Sequence, residues 1–173
     1  MRRFFVILAW VAHLLLIDAV TKEFAVCFLR GKFPVSVIDG FFNLAYVENR
    51  GCAWGMLQGH VWPLALFAVF TLFILIWKRK SIFAVETSRR WPVIFCAVAE
   101  PLLYAGIIGN LIDRIARGCV VDFFDFHYYE VYHFPCFNFA DVFICVSAAL
   151  LVTASFGASP RQSRQAVPAS AQK

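Results

Sequence analysis

The chain is 173 residues long, 61% hydrophobic and 16% charged, with a mean hydropathy of +0.72. An ordinary soluble domain carries about 45–50% apolar and about 25% charged residues, so this composition excludes a soluble globular fold and calls for lipid as solvent. The formal charge of +5 comes without a clustered basic and aromatic groove, so nothing points to nucleic acid, and membrane phospholipids are a sufficient partner.

The first apolar block runs from Phe4 to Val20 behind Arg2 and Arg3, as an h-region follows an n-region in a secretory signal peptide. No small-x-small cleavage site follows Leu16, and Asp18 and Lys22 come instead, so the block reads as a retained membrane span. Asp18 and Lys22 are four apart on one helical face and can pair, which neutralises both near lipid. Beyond them, residues 33–38 and 41–47 are β-branched and aromatic runs separated by Asp39-Gly40, the pattern of a hairpin. Asn49-Arg50-Gly51-Cys52-Ala53-Trp54-Gly55 follows, with two glycines that permit close backbone approach.

Three further blocks approach the roughly 20 residues a spanning helix needs: Val61 to Trp77, Trp91 to Ile112 and Phe137 to Phe156. Inside the third span Glu100-Pro101 is unexpected, because a buried carboxylate is costly and proline loosens a helix. Glu100 is expected to face the bundle interior and bond backbone groups freed by the kink. Gly109-Asn110-Leu111-Ile112-Asp113-Arg114 ends the span, and Arg114 is placed to pair with Asp113 or to hold a carbonyl or headgroup. Next come Gly118-Cys119-Val120-Val121-Asp122-Phe123, an aromatic run over residues 128–134, and Asn138-Phe139-Ala140-Asp141 opening the fourth span. Residues 1–157 therefore read as one membrane-embedded domain, four transmembrane helices with a small extramembrane β-sheet, and residues 158–173 as a disordered tail.

Lys and Arg beside the spans set the orientation. Arg2, Arg3, Lys78, Arg79, Lys80, Arg89, Arg90, Arg161 and Arg164 put both termini and the 78–90 connection in the cytoplasm. Segments 21–60 and 113–136, and with them every polar cluster, then lie on the outer side. The six cysteines show no CxxC, no zinc spacing and no His/Cys cluster. Cys96 and Cys145 fall in spans as small packing residues, while Cys27, Cys52, Cys119 and Cys136 allow one or two disulfides in an oxidising compartment.

Asn110 and Asp113, like Asn138 and Asp141, are three apart, so each amide can fix the rotamer of its neighbouring carboxylate. Two carboxylates meeting in a poorly hydrated site share one proton. One then acts as general base on water while the other polarises a peptide carbonyl, which is aspartic-protease chemistry. Asp141, near the positive end of a helix dipole, is one candidate, and its partner is Asp122 or Asp113, with Asp125 a weaker third.

D-x-x-x-K at Asp18, N-x-G-x-A at Asn49, G-N-x-x-D-R at Gly109, V-V-D-F at Val120 and F-N-x-A-D at Phe137 stand in one order around the four spans. In these motifs, from Asp18 to about Leu150, the chain resembles the lipoprotein signal peptidases (signal peptidase II). These are bacterial inner-membrane aspartic proteases that cleave signal peptides from diacylglyceryl-modified prolipoproteins just before the lipidated cysteine. The resemblance implies a catalytic pair at Asp122 and Asp141, and a supporting or substrate-contacting role for Asp18, Lys22, Asn49, Gly51, Asn110, Asp113, Arg114 and Asn138. It further implies no metal or cofactor, a site near the periplasmic face, and sensitivity to globomycin; a monomer is expected. Cys52 and Trp54 depart from the family pattern, where small and Phe residues are common. Apolar Val120, Val121, Phe123 and Phe124 beside Asp122 also favour it over Asp113, which an ion pair with Arg114 would hold ionised. A transporter with a proton relay would place acids through the membrane's depth, and only Glu100 lies clearly within a span. A subunit without a site leaves the polar clusters unexplained.

Overall fold

A computed structural model describes residues 2–52, 56–129 and 131–158. The tail from Ser159, Glu130, and the Ala53-Trp54-Gly55 end of the first outer motif lie outside the described residues. In chain order the elements are α1 (Arg2–Phe28), β1 (Val35–Ile38), β2 (Phe42–Asn49), α2 (Val61–Trp77), α3 (Arg79–Phe83), α4 (Arg90–Arg117), β3 (Val120–Tyr128), β4 (Tyr132–His133) and α5 (Phe139–Phe156).

Helices α1, α4 and α5 are long and apolar enough to cross a membrane, and α2 is an apolar helix of 17 residues. At 1.5 Å per residue α2 is about 26 Å long, a little under the roughly 30 Å hydrocarbon core. Pro63 and Pro92 each fall in a first helical turn, where a missing N–H costs no intrahelical bond. The outward faces carry exposed Phe5, Trp10, Phe67, Phe70, Phe73 and Val152, as lipid-facing surfaces do. Inside, Val11, Leu75, Phe83, Tyr104, Ala105 and Phe143 form the apolar core of the bundle.

Helix α4 packs closely against its neighbours because it presents small residues to them. A Cβ at Gly106 would sit 2.5 Å from the Ala140 carbonyl oxygen, and one at Gly109 2.6 Å from Asp18 Oδ2, so only glycine admits these contacts. Ala99 and Ala105 are fully buried. Pro101 interrupts α4 without ending it.

The four strands form one antiparallel sheet in the order β1-β2-β3-β4. The 33–38 and 41–47 runs become β1 and β2, with the turn at Asp39-Gly40. Strand β2 runs on to Asn49, and its register against β3 shifts between Leu44 and Val47, so that Val47 faces Asp122. The aromatic run at 128–134 is the β3–β4 hairpin. Ala25, Leu29, Val121 and Phe123 form a second apolar cluster, which seats the sheet on the last turns of α1.

The structure adds to the sequence reading at several points. The apolar block ending at Val20 continues as helix to Phe28, and the basic connection contains the short helix α3. Glu100, fully buried, bonds Arg3 at 3.3 Å and Arg79, not backbone groups of the proline turn. Two arginines supply countercharge that backbone groups cannot, which is what a buried carboxylate needs. Of the cysteines whose pairing the sequence left open, Cys27, Cys119 and Cys136 are free thiols, as is Cys96 in α4, and Cys145 is exposed where packing was expected.

Candidate active site

The polar clusters meet where the ends of α1 and α4 approach β2, β3 and the start of α5. Helix α5 begins with a capping box: Asn138 Oδ1 accepts the Asp141 amide at 3.0 Å, and Asp141 Oδ2 accepts the Asn138 amide at 3.1 Å. Asp141 thereby sits in the first turn of α5, where the helix dipole favours negative charge. Helix α1 adds to the same cap, since Asp18 Oδ1 accepts the Ala140 amide at 2.9 Å.

Two asparagines connect the carboxylates. Asn138 Nδ2 donates to Asp122 Oδ1 at 2.6 Å and to Asn110 Oδ1 at 3.2 Å, and Asn110 Nδ2 donates to Asp141 Oδ1 at 2.8 Å. From the sheet, Asn49 Nδ2 donates to Asp122 Oδ2 at 3.0 Å, while Asn49 Oδ1 accepts the Gly51 amide at 2.9 Å. Gly51 is required sterically, because a Cβ there would lie 2.4 Å from the Met56 carbonyl oxygen.

Lys22 is the buried cation of the network. Its ammonium reaches Asp18 Oδ2 at 2.8 Å, Asp113 Oδ2 at 3.1 Å and Asn110 Oδ1 at 3.0 Å, which occupies its three protons. Asp113 also accepts the Val121 amide at 3.2 Å and Arg117 Nε at 3.1 Å. The expected Asp113–Arg114 pair is therefore replaced by Lys22 and Arg117. Arg117 lies one turn along α4 from Asp113, on the same face, whereas the adjacent Arg114 points away. Arg114 instead donates to the carbonyls of Gly51 at 3.1 Å and Asn110 at 3.2 Å, tying the Gly51 loop to α4.

All ten residues singled out by sequence are thus linked through hydrogen bonds and ion pairs of one network spanning α1, α4, α5, β2, β3 and the Gly51 loop. Asp125 stands apart from those bonds, accepting Asn43 Nδ2 at 3.4 Å. Sequence reasoning missed Arg117, whose i, i+4 spacing from Asp113 was the available signal, and Asn43, which becomes a partner only through strand register.

Burial, joined by the nearby Asp141 carboxylate, pushes Asp122 up from its ordinary value of 3.8 to about 7, against the opposing hydrogen bonds of Asn49 and Asn138. Such a group holds or releases a proton near neutral pH, which suits it to acid–base chemistry.

Residues 10–157 match the family model described as signal peptidase (SPase) II. The lipoprotein signal peptidase of Clostridium acetobutylicum is 38% identical over 142 residues, 82% of this chain and 86% of that protein. That of Nitratidesulfovibrio vulgaris is 37% identical over 153 residues, covering 87% and 89%. A solved structure described as a bacterial membrane enzyme, determined by the in meso method at 2.3 Å resolution, aligns with a TM-score of 0.71 and 28% identity over 87% of each chain.

Proposed function

Because the chain belongs to the signal peptidase II family, membrane peptidases that remove signal peptides from prolipoproteins, we propose that Asp122 and Asp141 are its catalytic dyad. The observation that carries the assignment is the Asn110–Asn138 bridge, which links one carboxylate raised to about 7 to a second at the N-terminus of a helix. The pair holds one proton, on Asp122, while Asp141 is the anion. Asp141 takes a proton from a water whose oxygen attacks the scissile carbonyl, and Asp122 donates to the carbonyl oxygen as it becomes tetrahedral. Collapse of that intermediate breaks the C–N bond, a proton passes to the departing amine, and the dyad returns to its single-proton state.

The substrate is a prolipoprotein bearing a diacylglyceryl-modified cysteine, cut on the N-terminal side of that residue. Four crossings, with both termini in the cytoplasm of a bacterial inner membrane, bring the dyad near the periplasmic interface, where a lipid-anchored substrate presents its bond. Lys22 is a positioning residue, holding Asp18 at the α5 cap and Asn110 at the bridge. Gly51 and Arg114 shape the wall that receives the peptide. A globomycin-type cyclic peptide competes with the substrate for the dyad.

Purified protein given a diacylglyceryl-modified precursor should release the signal peptide, and globomycin should stop it. Asp122→Asn and Asp141→Asn should each lower the rate by at least about a thousandfold, since each removes a member of the acid–base pair. Cleavage at the wild-type rate by either variant, with the protein inserted and abundant, would remove that residue from the dyad.

A further inference from the structure

Away from the network just described, the β3–β4 hairpin gathers three groups that could ligate a metal. Asp125 and His127 are two apart on β3, and His133 on β4 is the cross-strand partner of His127. One ligand atom from each of the three lies within 4.8 Å of the others. The two imidazoles stack at 5.4 Å between centroids and 15° between planes. His127 Nδ1 is 4.0 Å from one Asp125 oxygen and His133 Nδ1 is 3.9 Å from the other, both too long for hydrogen bonds.

His127 supplies the second observation. Its side chain is 9% exposed, and its Nδ1 is a buried polar atom with no hydrogen-bond partner. Buried imidazole nitrogens are normally satisfied, so an orphaned one that faces a carboxylate and a second imidazole calls for a ligand. A single proton bridging His127 and Asp125 would need a shorter contact than 4.0 Å. A metal centred among the three donors would use the spacing as it stands with a small inward movement, because ligand atoms around a tetrahedral zinc bonded at about 2.0–2.1 Å lie somewhat over 3 Å apart.

We propose that Asp125, His127 and His133 form a binding site for one divalent transition-metal ion of the zinc type. Two imidazoles and a carboxylate are a borderline-soft set that suits zinc over magnesium or calcium, and three protein ligands leave a coordination position open to solvent. Asn43, which donates to Asp125 Oδ2, orients the carboxylate from the neighbouring strand. His127 lines an open cleft of about 430 Å³ with Asn43, Asp39 and Tyr129, which provides the entry path. The bound ion clasps β4 to β3, the strand that carries Asp122. This site is separate from the proposed dyad and requires no metal in its chemistry.

The test is calorimetric titration of zinc chloride into the full chain in detergent micelles, first stripped with a chelator, near neutral pH. One zinc per chain is expected. His133→Ala, at a side chain 57% exposed and so harmless to folding, should weaken binding at least about tenfold, and Asp125→Asn should do the same. Cobalt(II) loaded in place of zinc should give ligand-field bands without a thiolate charge-transfer band. Absence of stoichiometric binding, binding unchanged in both variants, or a thiolate band placing the ion on cysteine would each overturn the site.

Discussion

At the scale of single residues, the proton on Asp122 couples stability to pH and, on the proposed mechanism, governs rate. Because the folded state raises this carboxyl from 3.8 to about 7, the native chain binds a proton that the unfolded chain releases. Stability therefore falls as pH climbs through that window and is level above it, the reverse of a salt-bridged aspartate. Activity should follow the same proton. As pH rises past about 7 the proposed dyad should become doubly anionic and kcat/KM should fall, with a midpoint that belongs to the coupled pair. A kcat/KM profile that stays level through the alkaline range would deny Asp122 the role of the protonated partner. Apolar Val120, Val121, Phe123 and Phe124 already marked this position in the sequence, since neighbours of that kind desolvate a carboxylate. Partners of Asp113 were not legible in the same way. Adjacency suggested Arg114, but helical geometry turns consecutive side chains about 100° apart, and the carboxylate is met by Lys22 from another helix.

Among elements, α4 is the organiser, and Glu100 shows how it is held at the end away from the sheet. The carboxylate is fully buried, yet its partners are not: the Arg3 side chain is 62% exposed and Arg79 37% exposed. Each arginine can turn to solvent if Glu100 loses its charge, whereas Glu100 cannot follow. Glu100→Gln should accordingly change stability by no more than about 1 kcal/mol, while Arg79→Ala, which leaves the carboxylate with only Arg3, should cost about 3 kcal/mol. Unfolding in mixed micelles measures both, and equal losses would contradict the asymmetry. The spanning helices were readable as long apolar blocks with basic flanks. Helix α3 was not, because five residues rich in charge, Arg79–Phe83, carry no periodicity to detect. Strand β3 was hidden for a different reason: Val120-Val-Asp-Phe-Phe-Asp-Phe is nearly continuous in apolar residues, because its first four positions are buried on both faces and no alternation survives.

For the whole molecule, polarity is concentrated in two layers. Arg3 and Lys22 are 19 residues apart on one helix, hence about 28 Å, which nearly equals the hydrocarbon thickness of a bilayer. One layer is the Arg3–Glu100–Arg79 cluster beneath the basic connection; the other is the network around Lys22, Asp122 and Asp141 with the sheet beyond it. An apolar belt of exposed aromatic and aliphatic side chains separates them. Arginine and lysine concentrate beside the first layer, the bias on which the proposed orientation, that layer cytoplasmic and the sheet opposite, rests. The assignment can be read with single cysteines placed in a background lacking the native thiols. Val131→Cys, at a position 82% exposed on the hairpin, should react with a membrane-impermeant maleimide in intact spheroplasts. Ser81→Cys, at an exposed position of α3, should react only after permeabilisation. The opposite pattern would turn the molecule over and place the proposed dyad on the side where the signal peptide begins, too far from a lipid-anchored cysteine in the outer leaflet to cut beside it.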